Sequence, residues 1–188
     1  MHHPVVWAIR RSAVFAMAVL AGACDLVNPP AAAPAPATVA APVPTGPQIA
    51  DRVVVSKTLR TLDLERNGKV FASFPIALGP DAKGPKREAG DKKTPEGAYR
   101  IDWKSLKTKY SRELHISYPG AQDRARAAAA GVEPGGGIFI HGLPSDFGPY
   151  DPPVWVKDWT DGCIAVGNAA IVKIWDAVPD GTPIEILP

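Results

Sequence analysis

Thr61-Leu62-Asp63-Leu64-Glu65, Arg66-Asn67-Gly68-Lys69 and Val70-Phe71-Ala72-Ser73-Phe74-Pro75-Ile76-Ala77-Leu78 follow one another without a break. The first run alternates apolar and polar residues, the period of a strand with one buried face. Asn-Gly is the pair that best tolerates the positive φ angles of a tight two-residue turn, so the whole stretch predicts a β-hairpin. Working outward, Arg52-Val53-Val54-Val55-Ser56 reads as a strand upstream. Downstream, Gly97-Ala98-Tyr99-Arg100-Ile101, Glu113-Leu114-His115-Ile116-Ser117-Tyr118 and Thr182-Pro183-Ile184-Glu185-Ile186-Leu187 read likewise. Helical periodicity is confined to Asp123–Ala130 and to Asn168–Ala177, the latter with Ile171, Ile174 and Trp175 on one face. Many short strands and one or two short helices predict a mainly β domain over residues 49–188, a sandwich or partly open barrel.

The N-terminal quarter has a different composition. Basic Arg10 and Arg11, the apolar run Ala13–Leu20 and the small residues Ala21, Gly22 and Ala23 make residues 1–23 an expected signal peptide, too short in its apolar part to span a bilayer. Either way of reading the cleavage site leaves Cys24 first. Leu20-Ala21-Gly22-Ala23-Cys24 is one residue longer than the usual lipobox spacing, and lipidation of Cys24 is the expectation. A plain signal peptide or an uncleaved anchor is the alternative. Residues 24–48 are mostly Pro and Ala with almost no charge, which cannot bury enough apolar surface to fold and reads as a tether. In polyproline geometry it reaches roughly 70 Å. The expected location is therefore the periplasm or cell envelope, anchored to membrane through Cys24.

A net charge of +2 offers no basic face able to make several phosphate contacts, which excludes nucleic acid as a partner. Lys83, Lys86, Arg87, Lys92 and Lys93 do cluster in the polar loop Gly79–Pro95. Such a run reads first as a solvated face and second as a binding site for a substrate carboxylate.

Two segments carry chemistry. Gly135-Gly136-Gly137-Ile138-Phe139-Ile140-His141-Gly142 reads as a buried strand that delivers a histidine to its end. Asp158-Trp159-Thr160-Asp161-Gly162-Cys163-Ile164-Ala165-Val166 places a cysteine beside a glycine where a new element opens. Backbone N–H groups there can stabilise a thiolate or an oxyanion. With only two cysteines, one of them at the head of a tether, Cys163 is left as an unpaired thiol. A thiol nucleophile needs a base, and His141 is the best candidate. His115 reads as a structural hydrogen-bonding residue. Taken alone, a Cys and a His at this spacing are as readily two buried structural residues.

His-Gly after an apolar strand, followed by Thr-x-Gly-Cys, resembles the active-site signature of the YkuD-type L,D-transpeptidases. Asp91–Tyr99, Leu114–Pro119 and Ile138–Gly142 resemble further blocks of that family in the same order. The resemblance covers nearly all of residues 51–187 and implies a YkuD-like β fold. It implies that Cys163 is the nucleophile and His141 the base, that the backbone around Gly162 and Cys163 forms the oxyanion hole, and that the Gly142 carbonyl orients the imidazole. Trp159, Thr160 and Asp161 are the expected substrate-side residues. Asp161 stands where the family usually has histidine. It is expected either to cap a helix N-terminus or to line the acceptor side.

The implied reaction is acyl transfer on peptidoglycan stem peptides through a Cys163 thioester, without cofactor or metal, by an expected monomer. The alternatives are hydrolysis of the same bond as a carboxypeptidase or endopeptidase, and an inactive wall-binding lipoprotein. A metal site built from His141, Asp161, Cys163 and Asp158 lacks the two-residue ligand spacing of zinc sites.

Overall fold

The computed structural model of the protein describes Gly46 and residues 48–144 and 157–188. The expected signal segment, Cys24 and most of the tether lie outside the described residues. Among the described residues no helix is long and apolar enough to cross a membrane.

The expected hairpin is present. β2 (Thr61–Arg66) and β3 (Lys69–Pro75) pair antiparallel, and Asn67 and Gly68 take φ of 52° and 71° between them. β1 (Arg52–Ser56) lies on the other side of β2. The remaining strands are β4 (Gly97–Ser105), β5 (Glu113–Ile116), β6 (Phe139–His141), β7 (Ile164–Ala165) and β8 (Pro183–Leu187). Together they form one eight-stranded sheet in the order β3-β2-β1-β8-β4-β5-β6-β7. β8 is parallel to β1 and antiparallel to β4, so the last strand in the chain occupies the middle of the sheet.

Two structural differences from the sequence reading matter for the site. β4 runs four residues beyond Ile101, because a bulge lets Asp102 and Trp103 together face His115 and the ladder then resumes. The strand expected to run to Leu78 stops at Pro75, and the chain leaves β2 there. Ala77 instead bridges antiparallel to Ala165 of β7, joining the two ends of the sheet's strand order at one point. This contact makes the sheet a partly open barrel. The mainly β fold expected from the sequence is the one found.

Alternation sets the faces. Leu114, Ile116, Ile140 and Ile164 are fully buried, as are Val53, Val55, Leu62 and Ile101. His115, Phe139 and His141 therefore share the opposite face of their strands. α1 (Ala121–Ala130) starts two residues earlier than the sequence suggests: Asp123 accepts the Gly120 N–H at 2.9 Å and so fixes the first turn. α2 (Asn168–Ala177) buries Ile171 and Ile174 completely, each worth roughly 2–3 kcal/mol of apolar transfer. Lys104 Nζ donates to the carbonyls of Trp175 and Val178, both at 3.0 Å, and closes the C-terminal end of that helix.

Candidate active site

β6 and β7 are parallel neighbours, with Ile140 opposite Ile164 and His141 opposite Ala165. Cys163 immediately precedes β7. An extended chain at that point puts it beside Phe139, on the face that carries His141 and diagonal to it. The strand register thus brings the two residues singled out from the sequence to one face of the sheet.

His141 is 2% exposed, and its ring is enclosed by Tyr110, stacked at 4.0 Å between centroids, and by Trp159, edge-on at 5.6 Å. Nδ1 lies 2.7 Å from the carbonyl oxygen of Gly142, so Nδ1 carries the proton and Nε2 is the free, basic nitrogen. Burial lowers the imidazole pKa to about 4; the Gly142 carbonyl pulls it up, and the Lys109 ammonium pushes it further down. At neutral pH the ring is an uncharged base.

The Cys163 thiol is held above its ordinary pKa. Burial raises it, the facing Phe139 N–H opposes this, Glu113 and Asp161 raise it further, and Lys86 lowers it. The resting pair is thus neutral thiol and neutral imidazole, not a preformed ion pair. No hydrogen bond joins the two side chains; Cys163 Sγ donates instead to the Gly137 carbonyl at 3.6 Å. Proton transfer to His141 requires a rotation of the thiol away from Gly137.

Thr160 organises the turn into Cys163. Its hydroxyl donates to the Cys163 carbonyl at 2.7 Å and accepts the Gly162 N–H at 3.3 Å, and Thr160 itself is buried. The Gly162 N–H is therefore already engaged. Of the two backbone groups expected around the oxyanion, the one at Cys163 makes no hydrogen bond among the described residues. Gly162 has a conformational role instead: its φ is 116°, and a Cβ there would sit 2.6 Å from the Lys93 carbonyl. Gly142 is also packed too tightly for a side chain, with Asn168 Oδ1 at 2.8 Å from where a Cβ would be.

Trp159 lies against Ala77, Leu143 and Ala165, and its N–H donates to the Leu78 carbonyl at 2.8 Å. Asp158 is occupied structurally, accepting from the Leu78 N–H at 2.9 Å and from Arg60 at 2.6 Å. Asp161 caps no helix. The element after Cys163 is strand β7, α2 has Gly167 at its N-cap, and the Asp161 side chain is 86% exposed, 3.7 Å from Lys92 Nζ.

The lysine-rich loop differs from the expected solvated face. Lys86 is buried and paired with Asp91 at 2.7 Å. Burial opposes ionisation of Asp91, but the Arg87 N–H, the Lys86 ammonium and the N–H groups of Lys93 and Glu88 outweigh it and hold the carboxyl below its ordinary range. Tyr110, which packs on the imidazole, carries no signal in the sequence that would have placed it there.

The family profile for the L,D-transpeptidase catalytic domain (YkuD) matches residues 50–186. YafK of Escherichia coli (strain K12), provisionally named an L,D-transpeptidase, is 34% identical over 104 residues, 52% of this chain and 40% of YafK. Pgp2 of Campylobacter jejuni, described as a helical cell shape determining protein, superposes with a TM-score of 0.57 at 28% identity over 72% of this chain and 46% of Pgp2. Bd1075 of Bdellovibrio bacteriovorus gives 0.53 at 26% identity over 75% of this chain and 51% of Bd1075. The chain spans about half or less of the length of each of these relatives. By its matched residues 50–186 and by the sheet that carries His141 and Cys163, the chain belongs to the YkuD family of L,D-transpeptidase catalytic domains.

Proposed function

We propose that this protein performs cysteine-dependent acyl transfer on the stem peptides of peptidoglycan, the substrate class of its family. The supporting observation is the placement of His141 at the end of β6 and of Cys163 immediately before its parallel neighbour β7, with the Gly142 carbonyl fixing the tautomer that leaves Nε2 basic. The thiol gives its proton to Nε2, and Sγ attacks the carbonyl that follows an L-centre. The oxygen charge that develops is met by the Cys163 N–H. The C–N bond breaks, the imidazolium protonates the departing amine of a D-residue, and a thioester remains. An acceptor amine then attacks, loses its proton to His141, and releases the thiolate for reprotonation. Water in the acceptor's place makes the same site a carboxypeptidase or endopeptidase.

The proposal includes the place of work. The basic-apolar-small pattern of residues 1–23, Cys24 and the Pro/Ala tether suit a domain held by a lipid anchor in the cell envelope, facing the wall.

The test is incubation with a disaccharide tetrapeptide and an amine acceptor, followed by intact-mass measurement and product analysis. The expected result is an acyl adduct on Cys163, released terminal D-amino acid and a crosslinked product. Cys163→Ser forms no adduct, and its folding midpoint stays close to that of the parent. Turnover that survives Cys163→Ser overturns the proposal. Release of the D-residue with no crosslink assigns the hydrolytic outcome instead.

A further inference from the structure

Trp103, His115 and Phe139 hold matching positions on three neighbouring strands: Trp103 pairs with His115 across β4 and β5, and His115 with Phe139 across β5 and β6. Ile140 faces Ile164, so one residue earlier Phe139 meets Cys163, and the Phe139 N–H faces the thiol. A line of side chains therefore crosses the sheet from the nucleophile to Trp103. Its rings touch along the way. Trp103 stacks on His115 at 4.8 Å between centroids with the planes 11° apart, and Phe139 stands edge-on to both, 5.4 Å from Trp103 and 4.9 Å from His115. At the far end Trp103 is 44% exposed, a large apolar surface that neither the core nor the acyl-transfer steps use.

Strict alternation would send Asp102 and Trp103 to opposite faces of β4. The bulge between Ile101 and Trp103 instead turns both toward His115, whose Nδ1 lies 2.6 Å from Asp102 Oδ1 while its ring carries the indole. The Asp102 side chain stays 41% exposed, and a carboxylate has acceptor capacity beyond one partner. An aromatic ring and a hydrogen-bond acceptor thus stand side by side, both open to solvent. That combination complements a pyranose ring, which has an apolar face of C–H groups and a rim of hydroxyl donors.

The spacing fits the substrate. Neighbouring strands lie about 4.8 Å apart, so Trp103 stands three strand spacings, roughly 14 Å, from Cys163. In a disaccharide tetrapeptide the bond that releases the terminal residue lies three residues from the sugar, and three extended residues span about 10 Å. The lactyl unit that joins peptide to sugar supplies the remaining few ångströms. A stem lying across the strands, with its scissile carbonyl at Cys163, sets its sugar down at Trp103.

We propose that Trp103 and Asp102 form a sugar subsite for the N-acetylated hexosamine that bears the stem peptide. The C–H face of the pyranose stacks on the exposed indole, and Asp102 accepts from a ring hydroxyl or the acetamido N–H. The inference rests on the stem-peptide reading of the site and narrows it: the preferred substrate is a stem still attached to glycan, not a free peptide.

The experiment measures equilibrium binding to the Cys163→Ala protein, so that no chemistry is needed. The probes are a disaccharide tetrapeptide and the same tetrapeptide with only an N-lactyl group in place of the disaccharide, which leaves the charges equal. The disaccharide form should bind about fivefold or more tightly, the worth of a good aromatic stack. Trp103→Ala should bring it down to the lactyl form and leave the lactyl form unchanged. Trp103→Phe and Asp102→Asn should each lose part of the gain. In the nitrogen–proton spectrum, the indole Nε1–H resonance that vanishes in Trp103→Phe should shift with the disaccharide form alone. Equal affinity for the two probes overturns the inference. So does a gain that survives all three variants, or a loss in Trp103→Ala that is equal for both probes, which marks packing and not recognition. Should the alanine variant fail to fold, the other two decide, and a gain undiminished in both overturns the inference. Sugar-dependent binding with no acyl adduct on the parent protein sinks acyl transfer and leaves the subsite standing. Adduct formation with equal affinity for both probes sinks the subsite and leaves acyl transfer.

Discussion

His141 donates from Nδ1 to the carbonyl of its own neighbour, Gly142, at 2.7 Å, and this single bond decides which nitrogen carries the proton and which is left basic. With the ring buried and its pKa lowered to about 4, both partners of the pair are neutral near pH 7. The measurement is kcat/KM for acyl transfer against pH. It should stay level from about pH 5 to 8, because the base is already unprotonated throughout. An acid limb centred near the ordinary imidazole value of about 6.5 would show that the ring is charged in the resting site.

The same burial shapes stability. Between pH 6.5 and about 4 the unfolded chain protonates this imidazole and the folded chain does not, so the unfolded state binds more protons. Stability is therefore intact above pH 6.5 and lost as pH falls toward 4, by at most about 3 kcal/mol from this group. Urea unfolding at pH 7 and pH 4.5 should show the loss in the parent protein and a smaller one in His141→Gln.

Thr160→Val keeps the volume of a buried side chain but removes both hydrogen bonds that shape the turn into Cys163. Stability should fall by about 1–3 kcal/mol, because the Cys163 carbonyl and Gly162 N–H lose their partner. Acylation should slow by about tenfold or more with little change in KM, since the sulfur is displaced while the binding surface is not. Stopped-flow detection of the adduct separates the two effects.

Gly142→Ala introduces a methyl 2.8 Å from Asn168 Oδ1 and 3.0 Å from both the Tyr110 carbonyl and Ile171 Cγ2. The Tyr110 oxygen is backbone, and Asn168 Oδ1 is held by the Leu143 N–H at 3.0 Å, so neither yields without a loss. The expected cost is about 1–3 kcal/mol in thermal or denaturant unfolding, with loss of activity as the carbonyl that orients His141 shifts.

Asp161→Ala should leave the melting temperature unchanged, because the side chain caps no helix and is largely exposed. Its effect should appear in product ratios on the same muropeptides. Asp161→His should still acylate while changing the balance of transfer to hydrolysis. Ratios identical to the parent in both variants would remove Asp161 from the acceptor side.

What the sequence disclosed and what it hid divide along the range of the interactions. Asn67-Gly68 was readable because a two-residue turn is decided by the residues in it. The strand end at His141 and the junction at Cys163 were readable because a glycine-flanked strand end and a Gly-Cys junction are local patterns, while the pairing of the two residues was an expectation from the family resemblance. β7 was not, since Ile164–Ala165 is a strand only through partners on β6 and at Ala77. That omission produced the helix-cap expectation for Asp161, as Gly-Cys opens helices and strands alike. Lys86 read as a solvent charge, yet it is buried, and so is Lys57, which no pattern singled out: Lys57 Nζ reaches the Gly84 and Thr94 carbonyls and Glu96, 27 to 39 residues away. No periodicity announces partners at that distance.

The central position of β8 has a consequence for how the chain is made. Residues 183–187 pair on one side with β1 and on the other with β4, so they are the seam between a β1–β3 half and a β4–β7 half. During synthesis both halves exist before the seam does, and β1 and β4 each offer a bare edge to any other extended chain. A ribosome that stalls before Thr182 releases two open sheets, whereas five more residues of strand satisfy both edges at once. Residues 183–187 are therefore the point at which a sticky intermediate becomes one continuous sheet.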